Sequence, residues 1–303
     1  MEDALAVVEE SLLQQARGTA VNLPRAHSIA GPGVYVAHMQ AALHEQGVAG
    51  FKAYTAASQG YRFLVYLISA ESGRLLAIIE ANRLGQLRTG AATGVSVRHM
   101  ARHGRQVVGI LGSGFQAETQ LEAVCQVRDV ESVAVYSRSA TNRAAFAERM
   151  TGELGLAVVK ADSARDVVDA ADILITITAS RTPVFEGRWL RPGMHVAAVG
   201  GANEYVTELD DDAILRPEVL VVDSIAQARK ECGELLMPAS RGLVLWEQVR
   251  ELWEVVGGSV PGRRGDDEVT LFKSLGMAIW DVAVAKAVYD KAVAQGVGMR
   301  VGD

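Results

Sequence analysis

The sequence predicts an α/β protein: a doubly wound parallel sheet and, beside it, a second, discontinuous α+β domain. Three observations carry this. From residue 106 onward, continuous apolar runs alternate with helical stretches, the pattern of parallel strands joined by helical crossovers. Before that point the apolar runs are short and alternating, and Gly-, Ser- and Asn-rich turns separate them, as in an antiparallel sheet. A chain of 303 residues is also long for one core, so two domains are expected.

The first element is helical: Leu5, Val8, Leu12 and Leu13 recur at helical spacing as far as about Gln15. Alternating stretches follow at 34–36, 51–55, 63–68 and 75–79, and a helix is expected over 90–102. QVVGIL, beginning at Gln106, is apolar throughout, as a strand buried on both faces should be. Next come a helix over 117–127, a strand over 132–136 and a helix over 140–154. After 157–160 a helix is expected near 164–170 and a strand at 173–178, with later strands at 195–199 and 219–222. Residues 257–267, rich in Gly, Arg and Asp, read as a loop. Residues 268–295 are apolar at helical spacing and form a helix able to pack back on the first domain. The expected division is 1–103, joined by the helix within 277–303, against 104–276.

Composition narrows the function. Hydrophobic residues at 49% and charged residues at 22% are globular values and exclude a disordered or collagen-like chain. A net charge of -6 argues against nucleic acid or an anionic membrane surface as partner. The two cysteines, Cys125 and Cys232, cannot make a disulfide framework, so a reducing cytoplasm is the expected setting. MEDALAVVEE lacks the basic start and apolar run of a signal peptide, and no run is long enough to span a bilayer. The six histidines show no metal-ligand spacing, and no G-x-S-x-G elbow supports hydrolase chemistry.

The sharpest local motif is GILGSGFQA. It sets Gly112, Ser113, Gly114, Phe115, Gln116 and Ala117 in the G-x-G-x-x-A form of the dinucleotide-binding turn. Gly112 permits the tight turn, Gly114 lets backbone approach a pyrophosphate, and Ala117 lets the helix pack close to its strand. The helix N-terminus supplies free N–H groups and positive dipole for phosphate. A glycine turn alone is common; here a strand precedes it, a helix follows and a second strand comes at the right distance, which is the Rossmann context. At the end of that second strand NAD enzymes usually carry Asp or Glu for the ribose 2′-hydroxyl. This chain has VYSRSATNR instead, with Ser137, Arg138 and Ser139. A guanidinium there can clamp a 2′-phosphate or stack on adenine, so NADP(H) is favoured and NAD(H) stays open. The plain alternative is a solvated arginine.

At EANRLGQLRTGAATGVS, taken with GILGSGFQA, the sequence resembles the ornithine cyclodeaminase/μ-crystallin family, which includes alanine dehydrogenases and imine reductases. The resemblance runs over nearly the whole chain, through GFKAY around Lys52, ADILITITAS before Pro183, HVAAVGGAN, VVDSIAQARKECGEL and TLFKSLGMAIWD. It implies a Rossmann-type doubly wound parallel sheet plus a discontinuous α+β substrate and dimerisation domain, an active site in the cleft between them, and a homodimer. It implies that Arg25, Lys52 and Arg88 hold the α-carboxylate of a small amino or imino acid, which needs charge-assisted partners in a partly dry cleft. Read without the resemblance, Lys52 is a strand lysine facing solvent and Arg88 a surface arginine beside Thr89, a possible helix cap.

The resemblance also implies that Ser274, Leu275 and Gly276 lie against the nicotinamide, and it adds Thr89, Thr178, Ala179 and Val199 to the cofactor contacts. Otherwise Ser274-Leu275-Gly276 is only a tight helix entry. Glu80 is expected to orient Lys52 or bind the amino or imino group, against the plainer reading of a surface carboxylate. Asn203 completes the expected catalytic set with Lys52 and Glu80. Here the sequence departs from the family. Cyclodeaminases carry an Asp after the strand at 195–199, where this chain reads Gly200-Gly201-Ala202-Asn203-Glu204. Either Asn203 or Ala202 fills that slot, and neither side chain can be a general base. Ornithine cyclisation is therefore disfavoured against simple redox on an imino acid. The expected activity is reversible hydride transfer between nicotinamide and an α-imino or α-amino acid. The alternatives are a cyclodeaminase using bound NAD and releasing ammonia, or a non-catalytic NADPH-linked binding protein.

Overall fold

The computed structural model describes residues 1–201 and 203–301. It divides into two compact units: Thr89–Gly276 with Met1–Glu2, and Asp3–Arg88 with Met277 onward. The sequence places its first boundary at 103/104; the structure divides the chain earlier, between Arg88 and Thr89.

The chain opens with α1 (Glu2–Ala16), then β1 (Ala20–Asn22), β2 (Ala26–Gly31), β3 (Val34–Leu43), β4 (Val48–Ala57), β5 (Gly60–Ser69), β6 (Leu75–Glu80) and α2 (Asn82–Met100). The strands form an antiparallel sheet in the order β1-β3-β4-β5-β6, with β2 also paired to β3. They are longer than the sequence suggests. In β4, VAGFKAYTAA, small residues fall on both faces and blur the period-two signal. Helix α2 begins well before residue 90, so Thr89 sits inside it and caps nothing. Gly85 and Gly90 look like breakers in the sequence; of the two, Gly90 marks a close approach that needs glycine, and Gly85 has room for a side-chain carbon. A Cβ on Gly90 would lie 2.3 Å from the Thr119 carbonyl oxygen, and one on Gly85 3.6 Å from Lys52 Nζ.

The other sheet is parallel. Its elements are β7 (Arg105–Leu111), α3 (Ala117–Val127), β8 (Asp129–Tyr136), α4 (Ala140–Leu154), β9 (Val158–Lys160), α5 (Ala164–Ala170), β10 (Ile173–Thr176) and β11 (His195–Ala198). There follow α6 (Asp211–Leu215), β12 (Val219–Val222), α7 (Ile225–Glu231), α8 (Gly233–Ser240), β13 (Arg250–Glu251), α9 (Leu252–Val256) and β14 (Thr270–Lys273). The order β13-β12-β14-β11-β10-β7-β8-β9 runs outward in opposite directions from β7. The strand order reverses there, which is where open α/β sheets bind ligands. One expectation fails: residues 268–277 do not start the last helix. Thr270–Lys273 is a fully buried strand between β11 and β12. Four apolar-flanked residues buried on both sides have no helical or strand period to read. His195, also buried, is held between Thr270 Oγ1 (2.9 Å) and Ser96 Oγ (3.4 Å), and burial pushes its pKa down to about 3, so the ring is neutral.

After Gly276 the chain forms α10 (Ala278–Gln295), which packs on β3, β4 and β5. Asn22 Oδ1 accepts the Ile279 N–H at 3.1 Å at the start of this helix. A Cβ on Gly50 would lie 2.5 Å from the Tyr66 carbonyl oxygen and 3.2 Å from a Val282 methyl, so β4 needs glycine where α10 crosses it. Register fixes the faces of the antiparallel sheet. Met39, Lys52, Val65 and Ile79 form one row and share a face with the buried Ala37, Ala41, Leu43 and Leu67. The neighbouring row, Gln40, Phe51, Tyr66 and Ile78, lies on the opposite face.

Candidate active site

In the antiparallel unit, two cations meet at one carboxylate and a third acts on the first of them. Lys52 stands on β4, Arg88 on α2, and Arg25 in the link from β1 to β2. Asp281, wholly buried on α10, accepts from Lys52 Nζ at 3.1 Å and from Arg88 Nε at 3.0 Å, both through Oδ1. Its Oδ2 is buried with no hydrogen-bond partner among the described residues. The ammonium also lies 4.8 Å from the Phe63 ring centroid and 6.0 Å from that of Tyr54, within cation–π range. Lys52 is only 3% exposed, so the solvated-lysine reading falls. Burial pushes its pKa down to about 8; Arg88 and Arg25 push the same way, and Asp281 opposes them. With two arginines and a lysine against one acid, the group carries surplus positive charge even where Lys52 is neutral, and more where it is protonated, as an anion-binding site should.

Glu80 does not belong to this cluster. It pairs with Leu64 in the row of His38 and Ala53, on the face opposite Lys52, and it is exposed. It cannot orient Lys52, and Asp281 occupies that place. Glu80 suggests itself for the role because it closes a strand near Lys52; a one-residue change of parity reverses the face.

In the parallel unit, the motif turn leaves β7 at the switch point. Gly112 has φ +127, and a Cβ there would lie 2.4 Å from the Ile177 carbonyl oxygen, so no other residue fits. A Cβ on Gly114 would meet nothing within 4 Å, which leaves its backbone open to a phosphate. No side chain caps α3. The Gln116 Oε1 is buried without a hydrogen-bond partner, and Phe115 is exposed. Ser113 Oγ donates to Ser137 Oγ at 2.8 Å, tying the turn to the end of β8. Ser139 caps α4 by accepting the Asn142 N–H. Arg138 is exposed and has no hydrogen bond or ion pair among the described residues. Arg143, unremarked in the sequence, lies over the Tyr136 ring at 5.0 Å and donates to the Ser137 carbonyl at 2.8 Å. The open Gly114, uncapped helix and unpaired cation fit a dinucleotide.

The remaining expected cofactor residues belong to the same unit, and all but Thr89 lie just past strand ends. Thr89 is half-buried in α2, and Thr178 and Ala179 follow β10. Val199 donates its N–H to the Thr176 carbonyl at 2.9 Å. Ser274, Leu275 and Gly276 are more than a helix entry: all three donate to one oxygen of the buried Asp223, at 3.0, 2.7 and 2.6 Å. Burial raises the Asp223 pKa, and these bonds oppose the rise. Asn203 is exposed, and its Oδ1 accepts the Tyr205 N–H at 2.9 Å in a local turn; Ala202 lies outside the described residues. The sequence alone assigns no role to Asp281, Asp223, Glu208, Glu234 or Lys273, yet the structure buries all five. Asp281, Asp223, Glu234 and Lys273 lie inside or beside apolar runs, the one signal that can pick them out; Glu208, in VTELDDD, carries no such signal. Among the described residues, no group of three or more His, Cys, Asp or Glu could hold a metal ion, and no helix is long and apolar enough to cross a membrane.

A parallel, doubly wound sheet with a dinucleotide turn at its switch point defines a Rossmann-type fold. The chain belongs to the ornithine cyclodeaminase/mu-crystallin family, whose model matches residues 1–296. It is 38% identical over 239 residues to the Delta(1)-pyrroline-2-carboxylate reductase of Bacillus cereus, covering 78% of this chain and 73% of that protein. The structure of the Thermococcus litoralis Delta(1)-pyrroline-2-carboxylate reductase, in complex with NADH and L-proline, matches with a TM-score of 0.94 at 34% identity, over 98% of this chain and 95% of that one. An archaeal alanine dehydrogenase dimer with bound NAD matches with a TM-score of 0.91 at 33% identity, over 100% and 94% of the two chains.

Proposed function

We propose that this protein is an NAD(P)-dependent oxidoreductase acting on small α-imino and α-amino acids. The observation that carries the reading is the buried pairing of Lys52 and Arg88 with Asp281, with the Arg25 charge acting on Lys52. A substrate carboxylate is held by the two guanidinium groups and the ammonium, which fixes the α-carbon. The bound nicotinamide supplies or takes up hydride at its C4. Lys52 Nζ gives a proton to the substrate nitrogen in the reductive direction and recovers it in the oxidative one. A pKa of about 8 suits both tasks near neutral pH. Asp281 holds the ammonium in place. Glu80 and Asn203 have no part in this chemistry: one faces away from Lys52 and the other is engaged in a turn.

The dinucleotide is assigned to the parallel unit. The turn Gly112-Ser113-Gly114-Phe115-Gln116 and the start of α3 take the pyrophosphate. Thr89, Thr178, Ala179, Val199 and Ser274-Leu275-Gly276 take the nicotinamide half. Ser137, Arg138 and Ser139 take a 2′-phosphate, so NADPH is preferred to NADH. Arg138→Ala should weaken NADPH binding by about tenfold or more, the cost of a charge-assisted bond, and leave NADH nearly unchanged. Equal losses for both, measured by titration calorimetry, would remove the preference from Arg138.

A homodimer is the proposed assembly. The sheet row Gln40, Phe51, Tyr66 and Ile78 carries two stacked rings 4.5 Å apart and an isoleucine 55% exposed, an apolar strip that a second copy can cover. Light scattering after gel filtration should give twice the chain mass; a monomer at micromolar concentration contradicts this. Both cysteines are free, in keeping with a reducing cytoplasm.

The test of activity is a matrix of 2-oxo acids and amines, including preformed cyclic imines, against NADH and NADPH, followed by nicotinamide absorbance. Cofactor oxidation that depends on the imine supports the reading. Ammonia release from ornithine or lysine without net oxidation would make the protein a cyclodeaminase. Binding without turnover would leave it a ligand-binding protein.

A further inference from the structure

Three neighbouring strand ends in the parallel unit are held by buried charges that the proposed chemistry does not use. The pairing of β10 with β11 stops at Thr176 and Ala198, and that of β11 with β14 at Ala198 and Lys273. Beyond that point Glu208 joins the chains. Its Oε1 accepts the Thr178 N–H at 2.6 Å, and its Oε2 accepts the Thr176 hydroxyl and the Gly200 N–H, both at 2.9 Å. Glu234, on α8, accepts the backbone N–H groups of Glu208 and Leu209 through Oε1. Its Oε2 is ion-paired with Lys273 Nζ at 2.7 Å, and Lys273 donates to the Gly201 carbonyl at 3.3 Å. Glu208, Glu234 and Lys273 are 0%, 4% and 1% exposed. The loop is fitted to them: a Cβ on Gly200 would lie 2.3 Å from Glu208 Oε2, and one on Gly201 2.0 Å from Val206.

We propose that Glu208, Glu234 and Lys273 are positioning residues for the nicotinamide half of the dinucleotide. The inference rests on the dinucleotide reading above. In a doubly wound sheet the ligand lies off the carboxyl ends of the strands, one half on each side of the switch point. The turn after β7 and the end of β8 serve one half. The other falls to the ends of β10, β11 and β14, which this network joins. What the network holds is also informative. Apolar packing secures strands and helices, whereas these carboxylates accept N–H groups at Thr178, Gly200, Glu208 and Leu209, backbone outside the strands and helices. A charged acceptor fixes an N–H more firmly than a neutral one. A buried ion pair is poor at raising stability and better suited to specifying one arrangement.

Two variants of the whole protein test this. Glu208→Gln keeps the shape and removes the charge; Thr176→Val removes one hydroxyl from the same carboxylate. Affinity is measured for NADH and NADPH, and for ADP-ribose and its 2′-phosphate, which lack the nicotinamide. Turnover and melting are followed alongside. The expected result is ADP-ribose affinity within about twofold of the parent in both variants. NAD(P)H binding should be weaker by about tenfold in Glu208→Gln and a few-fold in Thr176→Val, with kcat falling more than KM rises. Proportionate loss of both kinds of ligand, or no loss of either, overturns the proposal. If Glu208→Gln does not fold, Thr176→Val decides by the same criterion. A parent protein that binds no dinucleotide removes the reading on which the inference rests, and the inference with it. Tight dinucleotide binding with unchanged selectivity removes the inference alone.

Discussion

Lys52→Ala is expected to lower kcat/KM by about two to three decades, with kcat falling as well as KM rising. Losing a charged partner in a desolvated site costs on the order of 2–5 kcal/mol. A residue that only bound the carboxylate would change KM and spare kcat. Lys52→Arg separates the two roles. It keeps the charge, but the guanidinium is larger and planar and gives up its proton too reluctantly for acid–base work, so it should retain substrate binding and turn over poorly. The pH profile gives a further check. Because the Lys52 pKa lies near 8, reduction, which needs the ammonium, should fail as pH rises through about 8, and oxidation, which needs the free amine, should gain there. Near-normal rates in both mutants with every imino acid tried would place the chemistry elsewhere.

How much of this was legible in the sequence depended on periodicity and on parity. The crossover helices at 117–127, 140–154 and 164–170 match the structure to the residue, because each is amphipathic and two begin at a serine cap, Ser139 and Ser163. The short strands β1 and β2 leave no mark in the sequence; AVN offers no period and AHSIAG is exposed along most of its length. TLFK merges with the helical spacing of 268–295 because a run buried on both faces has no period to distinguish it. The glycine turn was legible because its chemistry is local: Gly112 needs a φ that only glycine adopts freely.

The cation cluster is a different case. Nothing in GFKAYTAA says that the lysine faces a helix, and on the residues alone Lys52 reads as solvated. The resemblance named Arg25, Lys52 and Arg88 together, but not the carboxylate that gathers two of them, because Asp281 lies 229 residues further along the chain. Nor could the sequence choose the face of Glu80, which depends on the pairing of Leu64 with Glu80 and so on loop lengths. Long-range contacts of this kind are set by packing, which single-residue patterns do not encode.

Asp281→Asn should move the pH dependence of catalysis and destabilise the antiparallel unit at the same time. The carboxylate is wholly buried and holds two cations through one oxygen. It opposes the fall in the lysine pKa, while burial, Arg88 and Arg25 all drive it. Neutralising it at constant shape removes an opposite charge at 3.1 Å, an effect worth about one pH unit or more. The upper limb of the reductive pH profile should therefore move from about 8 towards neutrality, and the variant should recover activity in mildly acidic buffer. The two cations, left without their acid, should also lower stability by about 3–5 kcal/mol, read as a lower denaturant midpoint, and an added carboxylate ligand such as a substrate analogue should restore part of it by binding in the vacated field. A purely structural Asp281 predicts a different outcome: the midpoint falls, but the pH limb of the surviving activity stays where it was. An unmoved limb in a folded Asp281→Asn protein would show that Lys52 and Asp281 do not act as a pair in catalysis.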